Sequence, residues 1–122
     1  MPMRTAADVA LSRPISEVKA ELFRALAHPI RIRVLELLAD GERSVGEMAP
    51  LVGAELSHLS QQLGVLRRAG LVLSRKEGST VFYSVRDPEL VVLLAVAKRL
   101  LINSLTESQD LLADLQLAVA DR

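Results

Sequence analysis

The chain has 122 residues, half of them hydrophobic, and fifteen basic side chains balance fifteen acidic ones. Only Phe23, Phe82 and Tyr83 are aromatic, so a single domain of this length must build its core from Leu, Val, Ile and Ala. The absence of cysteine excludes disulfides, thiolate metal sites and cysteine redox switches and suits the cytoplasm. The opening MPMRTAADVALSRP carries Arg4 and Asp8 and has no long apolar run, so no secretory leader is expected there. No internal repeat, low-complexity tract or linker divides the chain.

Residues 1–15 are expected to be a flexible N-terminal segment. A helix from about Ser16 to Ala27 would bring Val18, Leu22, Ala25 and Leu26 to one side. His28-Pro29 opens the next helix, with proline at a first-turn position and His28 read as its cap. Ile30, Val34, Leu35 and Leu38 should face inward, and Asp40-Gly41 should end this helix. Arg31 and Arg33 fall on its exposed side, either as phosphate contacts or as solubility charges.

Ser44 followed three residues later by Glu47 is a capping box, so a third helix begins there. Met48, Leu51 and Val52 give it an apolar side, and Gly53 stops it. A fourth helix starts near 55–57 and ends at Gly70. Its Leu56, Leu59, Leu63 and Leu66 fall on one stripe of a 3.6-residue helix. The opposite side carries Ser57, His58, Gln61, Gly64 and Arg68, with Ser60 and Gln62 on the flanks. Short neutral donors and acceptors of this kind can read base edges in a major groove. Gly64 would permit close backbone approach, and Arg67 and Arg68, at the far end, would meet phosphates. An ordinary solvated helix would more often show Glu and Lys here.

Leu71 and Leu73, then Val81, Phe82, Tyr83 and Val85, are strand formers. Glu77-Gly78-Ser79 between them is turn chemistry. This ribbon has a basic tip, with Arg75 and Lys76 on one arm and Ser79 and Thr80 on the other. Between Ser57 and Arg86 five positive residues face one negative, Glu77, a net charge of +4 in a chain that nets zero. A helix-turn-helix followed by a basic hairpin suits a DNA groove and its flanking phosphates. The expected fold is mainly α with a small β-hairpin wing: a dimeric winged helix-turn-helix. The candidate DNA contacts are Ser57, His58, Ser60, Gln61, Gln62, Arg67, Arg68, Arg75, Lys76, Ser79 and Thr80.

The stretches LFRALAHPIRIRVLELLADGERSVGEMA (22–49), LSQQLGVLRRAGLV (59–72) and GSTVFYSV (78–85) together resemble the ArsR/SmtB family of small bacterial winged-helix transcriptional repressors. The resemblance covers roughly residues 16–104. It implies a homodimer that sits on an operator and leaves it when an effector arrives. It also implies that the first helix and the helix after the wing form the dimer contact. Many members bind metal through cysteines on the helix before the recognition helix, or through Asp and His on the dimer helix. Here 44–52 has no cysteine and 88–104 has neither Asp nor His, so both familiar sites are missing.

Asp87-Pro88-Glu89 starts another helix. Leu90 to Ala97 has no polar side chain, and such a helix must be covered on more than one side. Lys98 and Arg99 interrupt it well short of the roughly 20 residues a membrane span needs. A twofold interface is the better reading, with Leu22, Leu90, Leu93, Leu94, Ala97 and Leu101 as its candidate residues and no membrane as partner. Residues 16–104 then form the DNA-binding and dimerisation domain, and 105–122 a C-terminal helix. A break at 103–106, with Thr106 and Gln109 capping a last helix, and one long kinked helix are both open.

No cofactor is expected. Glu107, Asp110 and Asp114, spaced three and four apart, are the weaker candidates for a divalent transition metal, against the reading of a solvated acidic face. His28 and His58 look isolated and make no site. An unknown effector ligand or a partner protein is equally open. No nucleophile with a positioned base, phosphate loop or paired carboxylates supports an enzyme. A winged-helix protein-interaction module without DNA binding is the remaining alternative.

Overall fold

The computed structural model describes residues 13–120, and Ala120 by its backbone alone. Most of the expected flexible segment, 1–12, lies outside the described residues. Arg13 is ion-paired with Glu21 and approaches Glu17 at 3.8 Å, beside the helix that begins at Ile15.

The chain divides into two compact units between Pro88 and Glu89. The first contains α1 (Ile15–Leu26), α2 (Pro29–Leu37) with a 3-10 turn at Leu38–Asp40, β1 (Arg43–Ser44), α3 (Val45–Val52), α4 (Leu56–Arg68), β2 (Val72–Glu77) and β3 (Thr80–Val85). The second is a single helix, α5 (Glu89–Ala120).

Local chemistry sets the helix ends. Pro29 occupies the first turn of α2, and His28 Nδ1 accepts the Ile30 N–H at 3.1 Å, satisfying one amide the helix leaves unpaired. At α3, Ser44 Oγ accepts the Glu47 N–H at 3.1 Å while Glu47 Oε1 accepts from Ser44 N and Oγ. That is the capping box the spacing predicts. Gly53 closes α3 at φ +67°, in the left-handed region that glycine adopts without a Cβ penalty.

The core of the first unit is aliphatic, as composition requires. Leu26, Val34, Leu35, Leu38, Met48, Leu59, Leu63, Leu66 and Val72 are buried, with Tyr83 beside them. Each leucine wholly removed from water contributes about 1.5–3 kcal/mol before chain entropy is counted. The predicted stripe on α4 holds at Leu59, Leu63 and Leu66, but Leu56 is 56% exposed. It occupies the first position of α4, one turn before the buried part of the stripe. Leu51, expected inside, is likewise exposed.

The wing is part of a three-stranded antiparallel sheet in the order β1-β3-β2, not a free two-stranded ribbon. Glu77 pairs with Thr80 and Val72 with Val85 across a two-residue turn. Positive φ at Gly78 alone is the pattern of a type II′ turn, whose twist matches a hairpin. The third strand is short: Arg43 pairs with Tyr83 and Ser44 with Phe82.

In the second unit, Glu89–Ala120 is one continuous helix of 32 residues, which settles the choice left open at 103–106. Thr106 and Gln109, the expected caps of a last helix, lie inside this one and start nothing. The Thr106 and Ser108 hydroxyls donate back to the carbonyls of Ile102 and Ser104, each at 3.0 Å, so the helix absorbs its polar residues. Among the described residues no helix is long and apolar enough to cross a membrane.

Candidate nucleic-acid interface

Three regions of α4 emerge around its buried stripe. Ser57 and Gln61, four residues apart, are exposed along the middle of the outer face. Leu56 and Ser60 lie on the flank toward the wing. Together with Ser44, Val45, Gly46, Ser79, Thr80 and Val81 they line a cleft of about 440 Å³. His58 and Gln62 lie on the other flank, toward α2.

That second flank is engaged within the protein. Arg31 Nε donates to Gln62 Oε1 at 2.8 Å, and Arg31 Nη1 donates to the carbonyls of Arg24 and Ala25 at 3.2 and 3.1 Å. Arg31 is therefore half-buried, not on the exposed side that periodicity suggests. It ties the end of α1 to α4 and engages the Gln62 carbonyl within the protein. Arg33 is exposed. His58 is exposed, with its ring 6.2 Å from that of His28 at an interplanar angle of 48°. The two histidines are neighbours, although nothing in their spacing along the chain suggests it. The Nδ1 atom of His28 is committed to its cap.

At the far end of α4, Arg67 and Arg68 are exposed. Arg68 folds back over Gly64, with Nη1 3.2 Å from the position a Cβ would take there. The space that Gly64 leaves open is thus covered by the Arg68 guanidinium, and close backbone approach there would require Arg68 to move aside.

The wing differs most from the sequence expectation. Arg75 is held by two carboxylates: Glu42 accepts from Nε at 3.0 Å and from Nη2 at 2.5 Å, and Glu77 accepts from Nη1 at 2.6 Å. Its guanidinium also lies 4.6 Å from the centre of the Phe82 ring. These hydrogen bonds, first to Glu42 and then to Glu77, raise the Arg75 pKa, and the same contact holds the Glu42 carboxyl below its usual range. Counting Glu42 with the segment 57–86 lowers its net charge from +4 to +3. Lys76, Ser79 and Thr80 are exposed around the turn.

On α5, Glu107, Asp110 and Asp114 are all exposed. Among the described residues no group of three or more His, Asp or Glu side chains is placed to hold a metal ion. Of the interface candidates, Leu90 is 8% exposed in the single chain and so offers a partner little surface. Leu22, Leu93 and Leu94 are half-buried, and Ala97 and Leu101 are exposed.

A helix, a tight turn, a second helix with a polar outer face and a hairpin beside it define a winged helix-turn-helix. The model of the family described as "Helix-turn-helix domain" matches residues 26–75. The HTH-type transcriptional regulator Rv0081 of Mycobacterium tuberculosis is 51% identical over 106 residues, which are 86% of this chain and 93% of that protein. Its crystal structure superimposes with a TM-score of 0.71 at 52% identity, over 78% of this chain and 96% of that one. The transcriptional activator HlyU of Vibrio cholerae is 42% identical over 65% of this chain and 73% of its own length. A biofilm growth-associated repressor of Agrobacterium fabrum is 41% identical over 70% and 72%. The solution structure of a homodimeric winged helix-turn-helix DNA-binding domain from Mycobacterium bovis, described as a possible ArsR-family regulator, gives a TM-score of 0.68. It is 30% identical, over 88% of this chain and 95% of that one. The chain belongs to the helix-turn-helix transcriptional regulators, in their winged ArsR/SmtB group.

Proposed function

We propose that two copies of this chain bind an inverted-repeat DNA operator and repress transcription from it. The observation that carries this reading is the exposed polar centre of α4, Ser57 and Gln61, flanked by a hairpin with Lys76, Ser79 and Thr80 at its tip. Ser57, Ser60 and Gln61 would meet base edges, while Arg67, Arg68, Lys76, Ser79 and Thr80 would meet the backbone. His58 and Gln62 stand at the edge of this surface and serve it less directly. Related proteins carry the names of both repressors and an activator, and repression is the outcome that occupancy of an operator alone can produce. Work on chromosomal DNA implies the cytoplasm.

Dimerisation falls to α5, about 48 Å long at 1.5 Å per residue. Its exposed Leu100, Leu101, Leu105, Leu112 and Leu115 supply apolar surface for a second copy. Recognition helices related by a twofold axis would enter successive major grooves about 34 Å apart.

The test is a fluorescence titration of the protein against the DNA upstream of its own gene, with and without Ni(II), Zn(II) and Co(II). Tight binding indifferent to metal supports a regulator with another effector or none. Binding that a metal abolishes would instead make it a metal sensor. No binding at low salt would overturn the DNA reading in favour of a protein-interaction module.

A further inference from the structure

We propose that Leu56 reads the 5-methyl group of a thymine at one position in each half-site of the operator. The inference rests on the DNA-binding reading above and assigns it a specificity-determining side chain.

Leu56 belongs by spacing to the buried stripe of α4, yet it is 56% exposed. It is the first residue of that helix and follows a chain segment in which Glu55 makes no side-chain cap. N-terminal residues of a recognition helix are the ones that reach deepest into a major groove. Leu56 also does not stand alone on a solvated surface. It lines the 440 Å³ cleft together with Val45 and Val81, and Ser60, Ser79 and Thr80 line it too, while the Ser44 hydroxyl there is committed to Glu47.

This arrangement fits a base edge that is polar with one methyl group. In the major groove a thymine presents an O4 acceptor beside its 5-methyl carbon, whereas cytosine presents an N4–H donor and no methyl. Ser60 lies one turn after Leu56 on the same side of α4. A thymine whose methyl group rests on Leu56 would therefore turn its O4 toward the Ser60 hydroxyl. Ser79, Thr80 and Val81 of the wing line the same cleft, so a methyl group seated there would lose contact with water.

Burying one methyl group is worth about four-fold in affinity, and two half-sites compound this to about fifteen-fold. The experiment takes the best-bound duplex selected from a random library by the full-length protein. Each thymine is replaced by deoxyuridine, which lacks only the methyl group, together with its symmetry mate in the other half-site, and dissociation constants are measured for wild type, Leu56→Ala and Leu56→Met. The expected result is one symmetry-related thymine pair whose replacement weakens wild-type binding by about fifteen-fold. Leu56→Ala should bind thymine and deoxyuridine duplexes alike, and Leu56→Met should restore most of the discrimination. Circular dichroism and melting of each variant separate this from misfolding. Discrimination that survives Leu56→Ala, or the absence of any deoxyuridine effect on a well-bound duplex, would overturn the assignment alone. Failure of the wild type to select any duplex would overturn the DNA-binding reading, and the assignment with it.

Discussion

Replacing Glu42 by Gln should turn the wing into a stronger, more salt-sensitive DNA contact. In the free protein Arg75 spends its charge on Glu42 and Glu77, so it adds little to the field that a phosphate meets. Gln can still accept one hydrogen bond from Arg75 but removes one of the two carboxylates that hold it, taking the Arg75, Glu42 and Glu77 cluster from a net charge of −1 to zero with Glu77 still paired. If the freed guanidinium engages one phosphate, log Kd against log salt steepens by about 0.9. Between 50 and 200 mM salt, one such contact changes affinity by about 3.5-fold. The variant should therefore outbind the wild type by a few-fold at the lower salt and lose most of that advantage at the higher. Fluorescence anisotropy of a labelled duplex at three salt concentrations measures both, with Lys76→Ala as the opposing control that flattens the slope by a similar amount. An unchanged slope in a variant with an intact wing would refute the claim that Glu42 withholds Arg75 from DNA. The pH dependence follows with a definite sign. A depressed carboxyl pKa means that the Glu42 clamp is complete above the ordinary carboxylate range and is lost only as pH falls through the lowered value. Across about pH 6 to 8 this pair should leave DNA affinity constant.

Gln61→Ala should cost roughly 1–3 kcal/mol on the selected site and relax preference at one base pair; unaltered discrimination in a competition assay would remove Gln61 as a reader. Arg31→Ala removes the hydrogen bonds to Gln62, Arg24 and Ala25 and should destabilise the fold by about 2 kcal/mol. A melting temperature equal to the wild type would mean that solvent replaces all three. Leu101→Glu places a charge on exposed α5 surface and should yield a folded monomer by sedimentation. A persistent dimer would put the interface elsewhere.

Much of the fold is legible because its signals are local. The capping box at Ser44 and Glu47, the proline after His28, and the glycines at 53 and 78 each act within a few residues, so spacing alone locates α2, α3 and the wing turn. The missing pieces are contacts between distant segments. Nothing near Glu42 signals that it will meet Arg75, and nothing near Arg31 signals Gln62. Strand β1 has two residues, too few to show alternation, and exists because β3 offers it a free edge. Leu56 misleads for a related reason: a 3.6-residue period says which side of a helix a residue occupies, but not where along its length the core stops. The reading face divides in the same way. Periodicity groups Ser57, His58, Ser60, Gln61 and Gln62 together, and only the packing of α2 against α4 shows that Gln62 is held by Arg31 while the other four stay exposed.

Ser44 holds two positions at once. Its backbone ends β1, in register with Phe82 of the wing, while its side chain caps α3. No residue separates the sheet from α3, the first helix of the helix-turn-helix, so a rotation of α3 should carry the wing with it. A ligand that tilts α3 by a few degrees would swing the hairpin tip with it, and DNA would lose phosphate grip and base contacts in a single step. The chain also spends orientational freedom once, not twice, when both elements dock. Release from an operator should then be all-or-none, with no intermediate in which the wing lets go first.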